Sequence, residues 1–109
     1  MSLPLEGLKV LAFEQYGAGP FGSQYLSDLG AEVIKIEPAG TDGDYLRALG
    51  PYFIDEERNS ASSIFFQALN RNKKSITLNI LSVEGKEILG KLVKTCLLYT
   101  SPSPRDFQV

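Results

Sequence analysis

The sequence contains no histidine and a single cysteine, Cys96. Without histidine there is neither a Ser-His or Cys-His catalytic pair nor a Cys/His metal site, and one thiol cannot close an internal disulfide. No stretch approaches the roughly 18 to 20 consecutive apolar residues of a membrane span. The opening MSLPLEGLKV lacks a charged region followed by a long apolar one, so it does not read as a secretory leader. Surplus basic charge is missing too: 11 Lys and Arg against 13 Asp and Glu leave a formal net charge of −2. That removes any global pull toward nucleic acid or an anionic membrane, so an anion site has to be local. The resulting expectation is a cytoplasmic protein without a metal, a nucleic-acid partner or a membrane partner.

What is present suits one small globular domain, with 109 residues, 43% of them apolar and 22% charged. Lys9 to Phe13 (KVLAF) reads as a first strand and Glu14 to Gly19 as a loop. Pro20 sits well at the first position of a helix, where its missing N–H is no loss. Phe21, Tyr25, Leu26 and Leu29 recur at helical spacing as the predicted buried face, and Gly30 supplies a stop. Glu32 to Ile36 (EVIKI) reads as a second strand. Strand, helix, strand with short connections implies parallel pairing, and hence an α/β, Rossmann-like three-layer domain with a mostly parallel sheet.

From Pro38 to Ser60 the pattern dissolves into an irregular loop, with Asp42, Gly43 and Asp44 as a turn and Asp55 to Arg58 as a solvated charge cluster. Ser62 or Ser63 caps a short helix through Asn70, with Ile64, Phe65, Ala68 and Leu69 on one face. A basic run of Arg71, Lys73 and Lys74 leads into a strand over Ser75 to Asn79. Ser82 with Glu84 opens a second clear helix to about Thr95, its stripe being Ile88, Leu89, Leu92 and Val93. At Cys96 the composition changes. CLLYTSPSPRD resembles the translation of a sequencing-library adapter, so the expectation is a truncated domain over residues 1–95 followed by a non-native tail over 96–109 without a role in folding or function.

Gly17-Ala18-Gly19-Pro20-Phe21-Gly22 satisfies G-x-G-x-x-G, and Glu37 stands twenty residues after Gly17 at a strand end, as in a dinucleotide site. The register argues against an NAD or FAD module. A pyrophosphate site needs the first glycine to turn directly off the strand, and here Glu14, Gln15 and Tyr16 intervene. Two readings of the loop remain: glycines that only permit a tight strand-to-helix connection, or a helix N-terminus presenting backbone donors to an oxyanion or an acyl carbonyl.

Five blocks in order then carry a resemblance. Pro4-Leu5-Glu6-Gly7-Leu8-Lys9-Val10-Leu11, Ala18-Gly19-Pro20, Leu29 to Glu37, Gly43-Asp44-Tyr45-Leu46-Arg47 and Asn70 to Leu78 together resemble the family III (CaiB/BaiF-type) CoA-transferases over residues 4–95. The resemblance implies coenzyme A as substrate and carrier, with an acyl-CoA and a carboxylic acid as partners. In such transferases an aspartate carboxylate attacks the acyl-CoA thioester to give a mixed anhydride and then an enzyme-bound CoA thioester. That aspartate is expected well beyond Thr95, so no catalytic residue is assigned and the chain alone is expected to be inactive. A 2-methylacyl-CoA racemase branch would share every block.

Residue by residue, the resemblance places Gly17 and Ala18 against the thioester end of coenzyme A and Leu78, Asn79, Ile80 and Leu81 along the adenosine end. Gly17 and Gln15 replace the glutamine and histidine of the formyl-CoA branch, Pro38 replaces its arginine and Leu81 a lysine, which makes Arg47 the nearby cation. Arg71, Lys73 and Lys74 either face the 3′-phospho-ADP portion or form an ordinary solvated face. Asn70 and Ser75 read as turn and strand-start residues, Tyr16 and Phe21 as packing. The resemblance also implies an interlocked homodimer in the full-length form, with apolar patches exposed on this domain when it stands alone.

Overall fold

A computed structural model describes residues 2–40, 43–54 and 63–96, and the backbone of 98–100. Asp42, Asp55 to Arg58, Ser62 and the tail beyond residue 100 lie outside the described residues. Four parallel strands form one sheet in the order β3-β2-β1-β4, with β1 at Lys9–Phe13, β2 at Glu32–Pro38, β3 at Lys74–Leu78 and β4 at Leu98–Thr100. Helix α1 (Ala18–Asp28) joins β1 to β2, a short α2 (Ile64–Leu69) precedes β3, and α3 (Val83–Thr95) follows it. The predicted strand and helix boundaries hold to within two residues. The α/β reading with a parallel sheet is therefore correct, and β4 adds a strand inside the segment read as tail.

Strand alternation divides the core in two. Val10, Ala12 and Val33 point to one face and pack with Ala31, Leu5, Leu8 and Leu26 of α1. Leu11, Phe13 and Ile36 point to the other and pack with Ile34, Ile76, Leu78 and Ile80 and with Leu89 and Leu92 of α3. The layers are thus helix, sheet, helix. Burying residues such as Leu11 or Val33 completely contributes about 2 kcal/mol each from removal of apolar surface.

The helix faces depart from the apolar stripes read in the sequence. In α1 the buried residues are Pro20, Ser23, Gln24 and Ser27, while Phe21, Tyr25 and Leu29 are exposed. Of the expected face only Leu26 reaches the core. The reason is what α1 lies against: Ser23 donates to the Glu14 carboxylate, and Gln24 and Ser27 both donate to the Arg71 carbonyl. In α2, Ser63, Phe66 and Asn70 turn inward and Ile64 and Phe65 turn out, with Ser63 as the N-cap accepting from Phe66 N. In α3, Leu89 and Leu92 pack while Ile88 and Val93 stay exposed. Gly30, with φ at +107°, takes the left-handed turn that ends α1, and its N–H donates to Ser27 O.

The region read as a wholly irregular loop contains a 3-10 turn over Tyr45–Ala48, capped by Asp44, whose carboxylate accepts from Leu46 N. Asp44 is not a surface turn residue: it is 1% exposed.

Candidate functional site

Parallel register brings Phe13, Ile36 to Pro38 and Leu78 to one edge of the sheet, the carboxyl ends of β1, β2 and β3. In open α/β sheets this is the edge where ligands bind. An open cleft of about 160 Å³ lies there, lined by Phe13, Glu14 and Gln15, by Ile36 to Ala39 and by Leu78 to Leu81. Its side chains are chiefly apolar.

The Leu78–Leu81 wall is shaped by the start of α3. Asn79 Oδ1 accepts from Leu81 N at 3.1 Å, while Ser82 Oγ donates to Asn79 O and accepts from Gly85 N, both at 2.9 Å. A Cβ at position 85 would overlap the Asn79 carbonyl oxygen. Glycine there is what allows the helix to press against the wall and fix its path.

The second wall is formed by Glu14 and Gln15, at the start of the connection that runs on through Tyr16 to Gly17. Tyr16 is left-handed, with φ at +70°, and Gly17 opens α1 without a side-chain cap. The first N–H groups of a helix have no intrahelical acceptor, so this turn presents donors beside the cleft. The Tyr16 ring stacks on Tyr45 with centroids 5.2 Å apart and planes 11° from parallel.

Behind the turn lies a buried polar network. Lys35 Nζ donates to Asp44 Oδ2 at 2.7 Å and to Asn70 Oδ1 at 3.0 Å. Lys73 Nζ donates to Glu14 Oε1 at 2.8 Å, to Pro20 O at 3.0 Å and to Asn70 Oδ1 at 3.1 Å. Arg47 holds Glu37 through two bonds of 2.7 Å each, and its guanidinium carbon lies 4.0 Å from the centre of the Phe66 ring. Glu37 also accepts from Asp44 N at 2.8 Å and from Ser75 Oγ. Three carboxylates thus meet three cations, so the cluster is neutral.

This environment sets the proton affinities. Burial alone would raise the Glu37 pKa, but hydrogen bonds from Arg47, the Asp44 N–H and Ser75 outweigh it and hold the carboxyl at about 2. The Glu37 bond raises Arg47 against the opposing effect of burial. Burial lowers Lys73 in spite of its Glu14 partner. Among the described residues, no group of three or more His, Cys, Asp or Glu is placed to hold a metal ion.

Of the ten residues singled out by sequence, Leu78, Asn79, Ile80 and Leu81 line the cleft. Gly17 and Ala18 form the adjoining turn. Arg47 lies behind that edge, bound to Glu37. The basic run is not at the cleft. Lys73 is enclosed against Glu14, with its side chain 2% exposed. Arg71 pairs with Asp28, and Lys74 with Glu32, as surface bridges whose basic side chains are 57% and 70% exposed. Lys74 begins β3, four residues or about 13 Å along the strand from Leu78. Glu37, the residue a dinucleotide ribose would need, is engaged on both oxygens by Arg47. Sequence reasoning missed the structural parts of Glu14, Lys35 and Asp44. The one available signal was charge at inward-facing strand positions, as in Lys35 between Val33 and Glu37.

Comparison with known proteins follows the same outline. The profile of CoA-transferase family III matches residues 5–100. The human succinyl-CoA:glutarate CoA-transferase is 45% identical over 93 residues, covering 85% of this chain and 20% of the relative. A formyl-CoA:oxalate CoA-transferase of Escherichia coli is 43% identical over 94 residues, covering 86% and 21%. A crystal structure of a CaiB/BaiF family protein from Brucella suis superposes with a TM-score of 0.80 at 42% identity, over 91% of this chain and 25% of that one. The chain therefore spans about a fifth to a quarter of the length of these relatives.

Proposed function

Because the chain belongs to CoA-transferase family III, we propose that it supplies the coenzyme-A-binding part of an enzyme that moves coenzyme A between an acyl-CoA and a carboxylic acid. The observation that carries this reading is the cleft, where a fixed apolar wall and a donor-bearing turn converge at the carboxyl edge of a parallel sheet. Leu78 to Leu81 form a wall of the right character for the adenosine end of coenzyme A. Gly17 and Ala18 offer backbone N–H groups to the thioester end.

The exposed bridges Arg71–Asp28 and Lys74–Glu32 lie away from the cleft and contribute little, which favours reading them as an ordinary solvated face. Lys73 and Arg47 would leave a buried carboxylate unpaired if they moved, so their part is to support the turn. The nucleophilic carboxylate comes from polypeptide outside this chain, and the chain alone gives no turnover. The whole enzyme acts in the cytoplasm as an interlocked homodimer.

Titration calorimetry of the 109-residue chain with coenzyme A, acetyl-CoA and NADH tests the reading. Saturable coenzyme A binding that NADH does not compete with is the expected result. Binding of NADH alone, or displacement of coenzyme A by NADH, would overturn it in favour of a dinucleotide module.

A further inference from the structure

The turn that bears Gly17 is shaped by a residue far away in the sequence. Tyr16 adopts φ of +70°, a conformation that bulky L-residues rarely take and that glycine takes freely. The glycine is at position 17 instead, so a tertiary contact has to hold Tyr16 in place. That contact is Asp44, 28 residues on: its two carboxylate oxygens accept the Tyr16 N–H at 3.1 and 3.3 Å.

We propose that Asp44 is a positioning residue that locks Tyr16 in its left-handed turn and so sets the direction in which Gly17 and the first N–H groups of α1 face the thioester. This rests on the coenzyme A reading above. The carboxylate has little freedom to turn. Oδ1 also accepts from Leu46 N at 3.0 Å, Oδ2 accepts from Lys35 Nζ at 2.7 Å, and the Asp44 N–H is held by Glu37 Oε1 at 2.8 Å. An ionised carboxylate accepts about four hydrogen bonds, and these contacts use that capacity inside the protein. Lys35 projects from the middle of β2, opposite Ala12 of β1, so the anchor belongs to the sheet and not to a loop. The next residue, Tyr45, stacks on the Tyr16 ring, so one segment grips the turn by its backbone and by its side chain. A ligand held through backbone N–H groups depends on where that backbone points, and Asp44 controls this without touching the ligand.

Two double variants of the 109-residue chain separate positioning from bulk stability. Lys35→Met/Asp44→Asn and Lys35→Met/Asp44→Leu both remove the buried ion pair, but only asparagine keeps an oxygen facing Tyr16 N–H. The readouts are Tyr16 amide exchange by NMR, with the Val10 to Ala12 amides as fold controls, and calorimetric affinity for coenzyme A. The asparagine variant is expected to protect Tyr16 and to bind within about threefold of the unsubstituted chain. The leucine variant is expected to exchange Tyr16 at least about tenfold faster and to bind about tenfold more weakly, with the controls unchanged. Equal protection and affinity in the two variants would overturn the proposal. If the unsubstituted chain binds no coenzyme A, the functional reading fails, while the exchange comparison still decides whether Asp44 holds the turn. If both variants unfold, the unsubstituted chain decides: Tyr16 must show exchange slowed at least about tenfold relative to an unstructured amide, and an unprotected amide overturns the proposal.

Discussion

The two faces of the sheet solve the same burial problem with different chemistry. On the α3 face, Leu11, Phe13 and Ile36 meet apolar partners throughout. On the α1 face the apolar cluster of Val10, Ala12 and Val33 gives way, toward the carboxyl ends of the strands, to Glu14, Lys35, Glu37, Asp44 and Lys73. The difference follows the cleft. Apolar packing is non-directional and settles for good fit, whereas a fully bonded ion network fixes the orientation of each group, which suits the support of a strained turn.

The sharpest way to break this comparison is to remove one partner on each face. Lys35→Ala strips the Asp44 carboxylate of its cation in the interior and should destabilise by about 3 to 5 kcal/mol in urea unfolding. Leu11→Ala on the apolar face should cost about 3 kcal/mol, the loss of buried surface plus a cavity. Replacing Lys35 and Asp44 together by Met and Leu should recover much of the single-variant loss, since what is costly is a buried charge left alone. A double variant no better than Lys35→Ala would mean that the network stabilises through its charges and not merely through their mutual satisfaction.

Glu37 sharpens the comparison along the pH axis. Its carboxyl titrates at about 2 in the folded chain against an ordinary 4.5. A depressed carboxylate stabilises the fold above its unfolded value, and that stability is lost as pH falls from about 4.5 toward 2. Glu37→Gln should cost about 2 kcal/mol at neutral pH and should flatten the acid limb of a stability-versus-pH curve over that window. An unchanged acid limb would contradict the role given to Arg47 and Ser75. The smallest effect is expected at the surface: Asp28→Ala, which frees the exposed Arg71, should leave the urea midpoint essentially unchanged. The Asp28 carboxyl is lowered by its Arg71 and Gln24 hydrogen bonds, but solvent screens the pair.

The strands of the apolar face were legible in the sequence because KVLAF and EVIKI are short runs rich in β-branched and aromatic residues bounded by turn signals. The pleat of a strand then puts Leu11, Phe13 and Ile36 on one side. The three parallel strands and both long helices followed from the same patterning and from Pro20, Gly30 and Ser82. The polar face was not legible, for a physical reason. A buried charge looks the same in sequence as a solvated one, and its partners come from distant segments, as Lys73 meets Glu14 across 59 residues. The basic run after Asn70 therefore read as one surface feature, although Lys73 turns inward while Arg71 and Lys74 stay out. The apolar stripe of Phe21, Tyr25 and Leu29 misled for the complementary reason, because the interior beside α1 is polar and selects Ser23, Gln24 and Ser27. At the candidate site, Leu78 to Leu81 and Gly17 were singled out through family resemblance. Their shaping by Gly85 and Asp44 emerged only from the close approach of chain segments.

The central claim is that the carboxyl edge of the sheet receives coenzyme A. Amide shift mapping of the isotope-labelled chain during titration with coenzyme A tests it most directly. The account predicts that the largest shifts fall on Gln15 to Ala18 and on Leu78 to Leu81, with little change along the outer surface of α3. Shifts confined to the exposed aromatics of α1, or an unperturbed Leu78 to Leu81 segment at saturation, would contradict it.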